Sequence, residues 1–516
     1  MNACLRPLLF ATLLAATGLR AETFEVTRGD DPAPDGCLVG DCSLREALEA
    51  AQATPAADIV RLGEGQYFVT RGDLGIFGGV VVEGAGSAET GVVASGTPAA
   101  WRIAAQSDFE LRGVRFVANS GTAIAADRDH TSMLLDDVDV PTGEVGAGDD
   151  GSLGEVHLRV QDASIGYIVG CIAAQGLCEV VDSAVGMVGA LGEQVGVRVV
   201  RSVVSGPDGG VIAYGLGEVL IEDSTISGAA RPLEAWQLVA GDAPDVWVRR
   251  TRFIGNSGPI AFRRDATIHL DDVEFRDNVV AGDALADGAP AVLQADDVGA
   301  WRINRALFVG NRGGAALDGA VVRVLGGANV VMNQVTFDDN TFHPDAGGGY
   351  GHTIGVYADS ADPILLWLLH ATLRASTTLP AGTAGSLLTV RGGTTNVWLL
   401  NTLVAGSCGF GGGGAVFQAE GNIESPADTC GMDPGSNEVD MPAIQLHLGQ
   451  LGDHGGFTRT FMPAPGSFLI DAAKPTWCAI SPLDQRRYLR PAGGLECDIG
   501  AVEVEALADS IFADGF

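Results

Sequence analysis

Short runs in which apolar and polar residues alternate recur along this chain, and five of them end alike. "FELRGVRFVAN" (109–119), "VWVRRTRFIGN" (246–256), "IHLDDVEFRDN" (268–278), "WRINRALFVGN" (301–311) and "VVMNQVTFDDN" (330–340) each place an Asn three residues after a Phe. Weaker copies without that Asn read "MLLDDVDV" (133–140), "VHLRVQDASI" (156–165), "VRVVRSVV" (197–204), "VLIEDSTI" (219–226), "WLLHATL" (367–373) and "WLLNTLVAG" (398–406). Period-two alternation predicts short strands, and the Gly, Asn, Asp and Ser residues between them predict turns. Neighbouring copies lie about 20 to 36 residues apart, a spacing typical of solenoids. No helical periodicity separates them, and the LxxLxLxxN pattern of a leucine-rich repeat is missing. The architecture that remains is all-β: a right-handed parallel β-helix whose coils stack about 4.8 Å apart.

In stacked coils, equivalent residues lie over one another. Phe116, Phe253, Phe275, Phe308 and Phe337 are therefore expected to form an internal aromatic stack, each ring contact adding about 0.5–1.5 kcal/mol beyond burial. Asn256, Asn278, Asn311 and Asn340 are expected at a tight turn, in left-handed backbone, with their amides bonded into a ladder. A rod also needs caps, because its ends expose core and strand edges. Near the start, "TFEVT" (23–27) predicts a strand and "SLREALEAAQA" (43–53) an amphipathic helix. Ser43 and Glu46 make a capping box, and Leu44, Ala47, Leu48 and Ala51 form one apolar face. The organisation read from this pattern is an N-terminal cap at 22–75, the β-helix at 76–405, a compact module at 406–503 and a tail at 504–516.

Residues 1–21 have the form of an export signal, with Arg6, the apolar run "LLFATLLAATG" and a small-residue cleavage site at Ala21. That run is too short to span a bilayer, and no later stretch reaches about 18 uncharged apolar residues. Eight cysteines remain after Cys4: Cys37 and Cys42, Cys171 and Cys178, Cys408 and Cys430, Cys478 and Cys497. An even count in an exported chain predicts disulfides, here between close neighbours. The net charge of −34 opposes nucleic acid, anionic lipid and polyuronide partners unless a divalent cation intervenes. Calcium is the ion such a surface would hold, although neither an EF-hand loop nor the glycine-rich nonapeptide repeat occurs.

The segment from Thr23 to Thr70, with "CSLREA" (42–47) and the Cys37/Cys42 pair, resembles the CSLREA domain that opens exported bacterial β-helix proteins. "NTLVAGS" (401–407), "LGDHGGFTRTFMPAPGSFLIDAA" (451–473), "DQRRYLRP" (484–491) and "CDIGAVE" (497–503) resemble the choice-of-anchor Q module, in its order. This chain has DHGGFT and DQRRYLRP where that module carries DNGGxT and DQRGxxRP, so Arg487 stands in place of a turn glycine. "DSIFADGF" (509–516) is similar to tails of secreted Gram-negative proteins. The resemblance implies export and surface attachment in a Gram-negative bacterium. It implies no defined activity.

Polysaccharide-cleaving enzymes are common among β-helices, but fold alone is a weak warrant. Glycoside hydrolysis needs two carboxylates across a cleft. The candidates are Asp271 with Asp272, Asp136 with Asp137, and Asp338 with Asp339. A β-elimination lyase needs a basic group, and Arg249, Arg250, Arg252, Arg263 and Arg264 are the densest basic cluster. The bland alternative pairs these arginines with nearby acids on the surface. "GYGH" (349–352) echoes one polygalacturonase motif without its partners, and the RGD triplets at 28–30 and 71–73 read as turn chemistry. Trp247, Trp301, Trp367 and Trp398 recur near strand starts and fit either an outward sugar-stacking stripe or interior filling. The expectation is a non-catalytic exported rod that binds glycan or another extracellular partner along its length. A polysaccharide lyase or glycoside hydrolase is the alternative, walled by the insertions at 279–300 and 341–362, with a purely structural surface protein as a third reading.

Overall fold

The computed structural model describes residues 21–508 except 55, 105, 120, 127–129, 149–153, 216, 237–243, 264–265, 281–290, 297–299, 314–319, 343–351, 359–362, 377–385, 492–495 and 505–506. Most of the export signal, Arg264, the 509–516 tail and most of both insertions therefore lie outside the described residues. The chain winds as a parallel β-helix with three faces. Almost every strand pairs in parallel with its equivalent one coil later. On the first face, Trp247 pairs with His269, His269 with Arg302, Arg302 with Val331, and Val331 with Trp367. Trp367 then pairs with Trp398. The coil does not end where the sequence repeat fades near 405. Strands Cys408–Gly411, Val416–Glu420 and Ile423–Ser425 continue all three faces.

Alternation along each strand sends one side inward. The helix Leu44–Ala51 closes the first coil, capped by reciprocal hydrogen bonds between Ser43 and Glu46, with Leu44, Ala47, Leu48 and Ala51 buried in the common core. Four disulfides join Cys37 to Cys42, Cys171 to Cys178, Cys408 to Cys430 and Cys478 to Cys497. Among the described residues, no helix is long and apolar enough to cross a membrane.

The turn between the first and second faces repeats a backbone conformation rather than a residue. Gly113, Asp137, Asp162, Asp182, Arg201, Asp223, Arg250, Asp272, Arg305, Gln334, His370, Asn401 and Gly421 follow one another up the rod, all with positive φ. A left-handed non-glycine residue costs about 1–2 kcal/mol, and cross-coil bonds offset it. Arg201 donates to Asp182 at 2.7 and 2.6 Å, and Arg250 donates to Asp223 at 2.6 and 2.8 Å. Just inside this turn, Ser183, Ser202 and Ser224 form a hydroxyl ladder: the Ser183 amide donates to Ser202 Oγ and the Ser202 amide to Ser224 Oγ, both at 3.1 Å.

The second turn carries the asparagines. Asn278 Oδ1 accepts from the Asn256 amide at 3.0 Å and from its Nδ2 at 2.9 Å, while Asn278 Nδ2 donates to Asn311 Oδ1 and to Phe253 O. Asn311 and Asn340 repeat the pattern. Each interior amide thus has both its donors and its acceptor engaged, which a buried Asn requires. The left-handed residue is not the Asn, as the turn reading expected. It is the preceding Gly255, Asp277, Gly310 or Asp339, which frees the Asn side chain to point inward. Beside this ladder, Phe253, Phe275, Phe308 and Phe337 stack with centroids 5.3, 4.4 and 4.4 Å apart. Phe116 does not join them. Aliphatic residues including Ile165, Val185, Val204 and Ile226 fill the intervening coils, and Phe116 meets Trp101 edge-on at 6.1 Å.

The C-terminal segment caps the rod and then returns along its flank. The inward Phe column continues through Leu373 and Val404 to Glu424. That buried carboxylate accepts from the Thr429 amide and hydroxyl, both at 2.6 Å, and from the Cys430 amide. Beyond it the chain packs on the outer side of the second face. Leu403 and Ile423 share a core with Met441, Leu446, Leu469, Ala473, Cys478, Cys497 and Ile499.

Candidate functional site

Asp272 is buried and sits in the left-handed turn. Its Oδ1 accepts from Arg305 Nε at 2.9 Å, and its Oδ2 accepts from Arg487 Nε at 3.0 Å. Asp271 accepts from Asn304 at 2.8 Å and from Arg305 at 3.2 Å. Asp338 is paired with Arg374 at 2.6 Å, and Asp137 accepts from the Ser87 amide and hydroxyl. Arg250 is bound to Asp223 and Glu222. The acidic pairs and Arg250 are therefore fasteners between coils, or between coil and C-terminal module, and they do not face each other across a cleft. Both RGD triplets are likewise tied into the cap, Arg28 to Asp30 and Asp41, and Asp73 to Arg102.

The tryptophans divide. Trp301 points inward, fully buried, and meets Phe262 edge-on at 5.6 Å. It stands one station off the outward column that holds Trp247, Trp367 and Trp398. Those three face outward, but their ring faces are taken. Trp247 stacks on His269 at 3.7 Å and lies under the Arg249 guanidinium at 4.7 Å. Trp367 stacks on Trp398 at 4.5 Å and follows Val331 in register on its other side, while Phe417 lies tilted against Trp398 at 5.7 Å. A sugar needs an open ring face, so this column stabilises the rod. Burial beneath Trp247 and the nearby arginines hold the His269 imidazole below its usual pKa.

Residues singled out by the choice-of-anchor resemblance make the module's internal framework. Asp484 accepts from the amides of Arg486, Tyr488 and Glu503 and from the Arg486 guanidinium. Arg490 donates to Glu503 at 2.9 Å and to the carbonyls of Asp498 and Gly500. Burial pushes the Glu503 carboxyl up to about 7 and raises Asp498 as well. Gln485 reaches into the rod's flank, accepting from Thr336 Oγ1 at 2.6 Å. Two groups of described residues bring metal-type donors together. Cys478 and Cys497 beside His370 are joined as a disulfide, and Asp471, Asp498 and Glu503 lie together where Arg490 donates to Glu503 and the Asp471 amide to Asp498.

The chemistry-bearing cluster that sequence reading missed lies on the outer side of the third face, on strands Ala320–Leu325, His352–Tyr357 and Ser386–Arg391. His352 Nδ1 and Thr389 Oγ1 share a 2.7 Å hydrogen bond. Arg323 and Arg391 each lie 5.9 Å from the Tyr357 ring centre. Gly355 permits this, since a Cβ there would fall 2.5 Å from the tyrosine ring. An imidazole, a phenol and two guanidiniums, all buried except Arg391, combine proton-transfer groups with a carboxylate-binding charge. Arg323, Gly355 and Thr389 share one register station, and so do Leu325, Tyr357 and Arg391. That periodic offset was the available signal, obscured because these strands lack the Phe-x-x-Asn phrase.

No family model matches the chain, and no curated protein matches it. Solved structures similar to it include the A-module of mannuronan C-5 epimerase AlgE6 from Azotobacter vinelandii (16% identity, TM-score 0.28, covering 78% of this chain and 98% of that one). Others are an alginate lyase from Paenibacillus sp. (14%, 0.23, 65% and 99%) and the catalytic unit of a GH87 alpha-1,3-glucanase from Streptomyces thermodiastaticus (16%, 0.26, 78% and 71%). At such identities and TM-scores, these likenesses have no bearing on what this chain does.

Proposed function

We propose that this chain is an exported, non-catalytic β-helix protein, secreted or held at a bacterial surface, whose rod binds an extracellular partner, most simply a glycan. The observation that carries this reading is the state of the acidic pairs: Asp271, Asp272 and Asp338 are each held by arginine in fastening bonds. The four disulfides support an oxidising location outside the cytoplasm. The capping box at Ser43 and the buried Asp484–Arg486 and Arg490–Glu503 pairs support a CSLREA-type start and a choice-of-anchor-type end.

The test is incubation of the mature chain with a panel of neutral and acidic polysaccharides, with and without calcium. The expected result is retention of polysaccharide with no new reducing ends and no unsaturated product. Product release would overturn the non-catalytic reading. A second reading, a polysaccharide lyase acting on uronates, is favoured by the His352–Thr389 bond beside Tyr357, Arg323 and Arg391. In that case His352→Ala abolishes product formation while Asp271→Asn leaves it intact.

A further inference from the structure

Unlike the rod's tryptophans, Phe77 keeps an open ring. It is 75% exposed, although it follows the buried strand Leu74–Ile76. Its ring folds across Gly75, where a Cβ would lie 2.6 Å away. Its backbone is fixed from the cap helix: Gln52 Oε1 accepts from the Phe77 amide, and Gln52 Nε2 donates to Gly75 O at 3.0 Å and to Leu48 O at 2.9 Å. The ring borders a cavity of about 640 Å³ between the helix and the third face, lined also by Arg45, Glu49, Gln52, Asp73 and Arg102. Small-ligand sites commonly span about 300–1,000 Å³ and combine an apolar surface with a few convergent polar groups.

The charges around this cavity nearly cancel. Arg45 is paired with Asp31 and Arg102 with Asp73, while Glu49 is exposed. Arg102 lines the space with its Nε held by Asp73, and among the described residues no other partner engages its guanidinium. A guanidinium and a carboxylate suit adjacent sugar hydroxyls, and an exposed aromatic ring suits the apolar face of a pyranose. An acidic sugar would meet Glu49, Asp73 and the field of a chain with net charge −34. We infer that this cavity is a binding subsite for a neutral oligosaccharide, with Phe77 as its stacking platform. The inference rests on the glycan-binding reading above and gives it an address at the N-terminal cap.

The test uses the full mature chain, titrated calorimetrically with neutral gluco-, xylo- and manno-oligosaccharides and with an oligogalacturonate. At least one neutral oligosaccharide is expected to bind. Phe77→Ala should weaken it about tenfold and Arg102→Ala about three- to tenfold, with Phe77→Trp restoring affinity. Phe77 is exposed and the Arg102–Asp73 pair lies at the surface, where such a pair contributes little, so these variants should unfold much like the parent. Trp398→Ala, on the rod, is the control and should leave affinity unchanged. Glycan binding that survives Phe77→Ala overturns the site while the glycan-binding reading stands. Preference for the oligogalacturonate overturns the neutral specificity. Binding of none overturns both.

Discussion

The middle coils and the C-terminal module both bury many polar groups, but they fasten them in opposite ways. In the coils from Asp245 to Asn340, the asparagine column and the phenylalanine column each meet their own kind one coil away, so those contacts are repeated. In the module, each contact occurs once. Arg487 reaches Asp272 across 215 residues of sequence, Gln485 meets Thr336 across 149, and the Lys474 amide meets Asn401 across 73. A repeated contact gives a stack whose stability is a sum of neighbour terms. Single contacts give a flank that is released when a few of them fail.

That contrast can be broken at its strong end first. Phe308 is flanked by a ring on each side, and Phe308→Ala should destabilise the coils by about 3–5 kcal/mol in denaturant unfolding. Asn278→Ala leaves donors on Asn256 without their acceptor and should cost about 3 kcal/mol. Adding Asn311→Ala should cost less than the sum, because the two share a bond. Asp272→Ala removes one link between coil and module together with the Arg305 bond between coils and should cost about 2–3 kcal/mol, read chiefly as earlier loss of the module.

Titration sharpens the same contrast, since the strongly perturbed carboxyl belongs to the module. Glu503 is raised from 4.5 to about 7 by burial, so its contribution is full below the lower value and is lost as pH rises through the higher one. The module's unfolding midpoint should therefore fall between about pH 5 and pH 8, and Glu503→Gln should flatten that slope. His370, buried at the rod–module seam, is held well below its usual 6.5 by desolvation. Its contribution is present above 6.5 and is lost on acidification, so His370→Asn should remove the acid limb. The smallest effect is expected from Arg487→Gly. It relieves a left-handed arginine at φ +68 but removes a half-exposed partner of Asp272. The two changes are of opposite sign and should leave a net shift within about 1 kcal/mol.

Legibility follows the same division. The Phe-x-x-Asn phrase shows in the sequence because its two columns demand particular side chains, a flat ring and an amide with both donors and acceptors. The cap helix shows because its capping box is local, and the cystines because their partners lie only 5 to 22 residues apart. The first turn does not show. What repeats there is a left-handed backbone that Asp, Arg, Gln, His and Asn all adopt once cross-coil bonds hold them. The orientation of Trp301 turns on a one-residue step in register, and alternation read from sequence cannot fix where a strand begins. Arg487 looked like a lost glycine. Only the fold reveals Asp272 opposite it.

Hydrogen–deuterium exchange of the intact chain, read peptide by peptide, bears most directly on the division between stacked coils and a singly fastened flank. The amides of Asn256, Asn278 and Asn311, bonded to the next asparagine, should be among the slowest. Residues 442–503 should open at lower free energy and as a separate unit, which Asp272→Ala hastens far more than it hastens the coils. Exchange of coils and module together, at one free energy and unaltered by that substitution, would contradict the account.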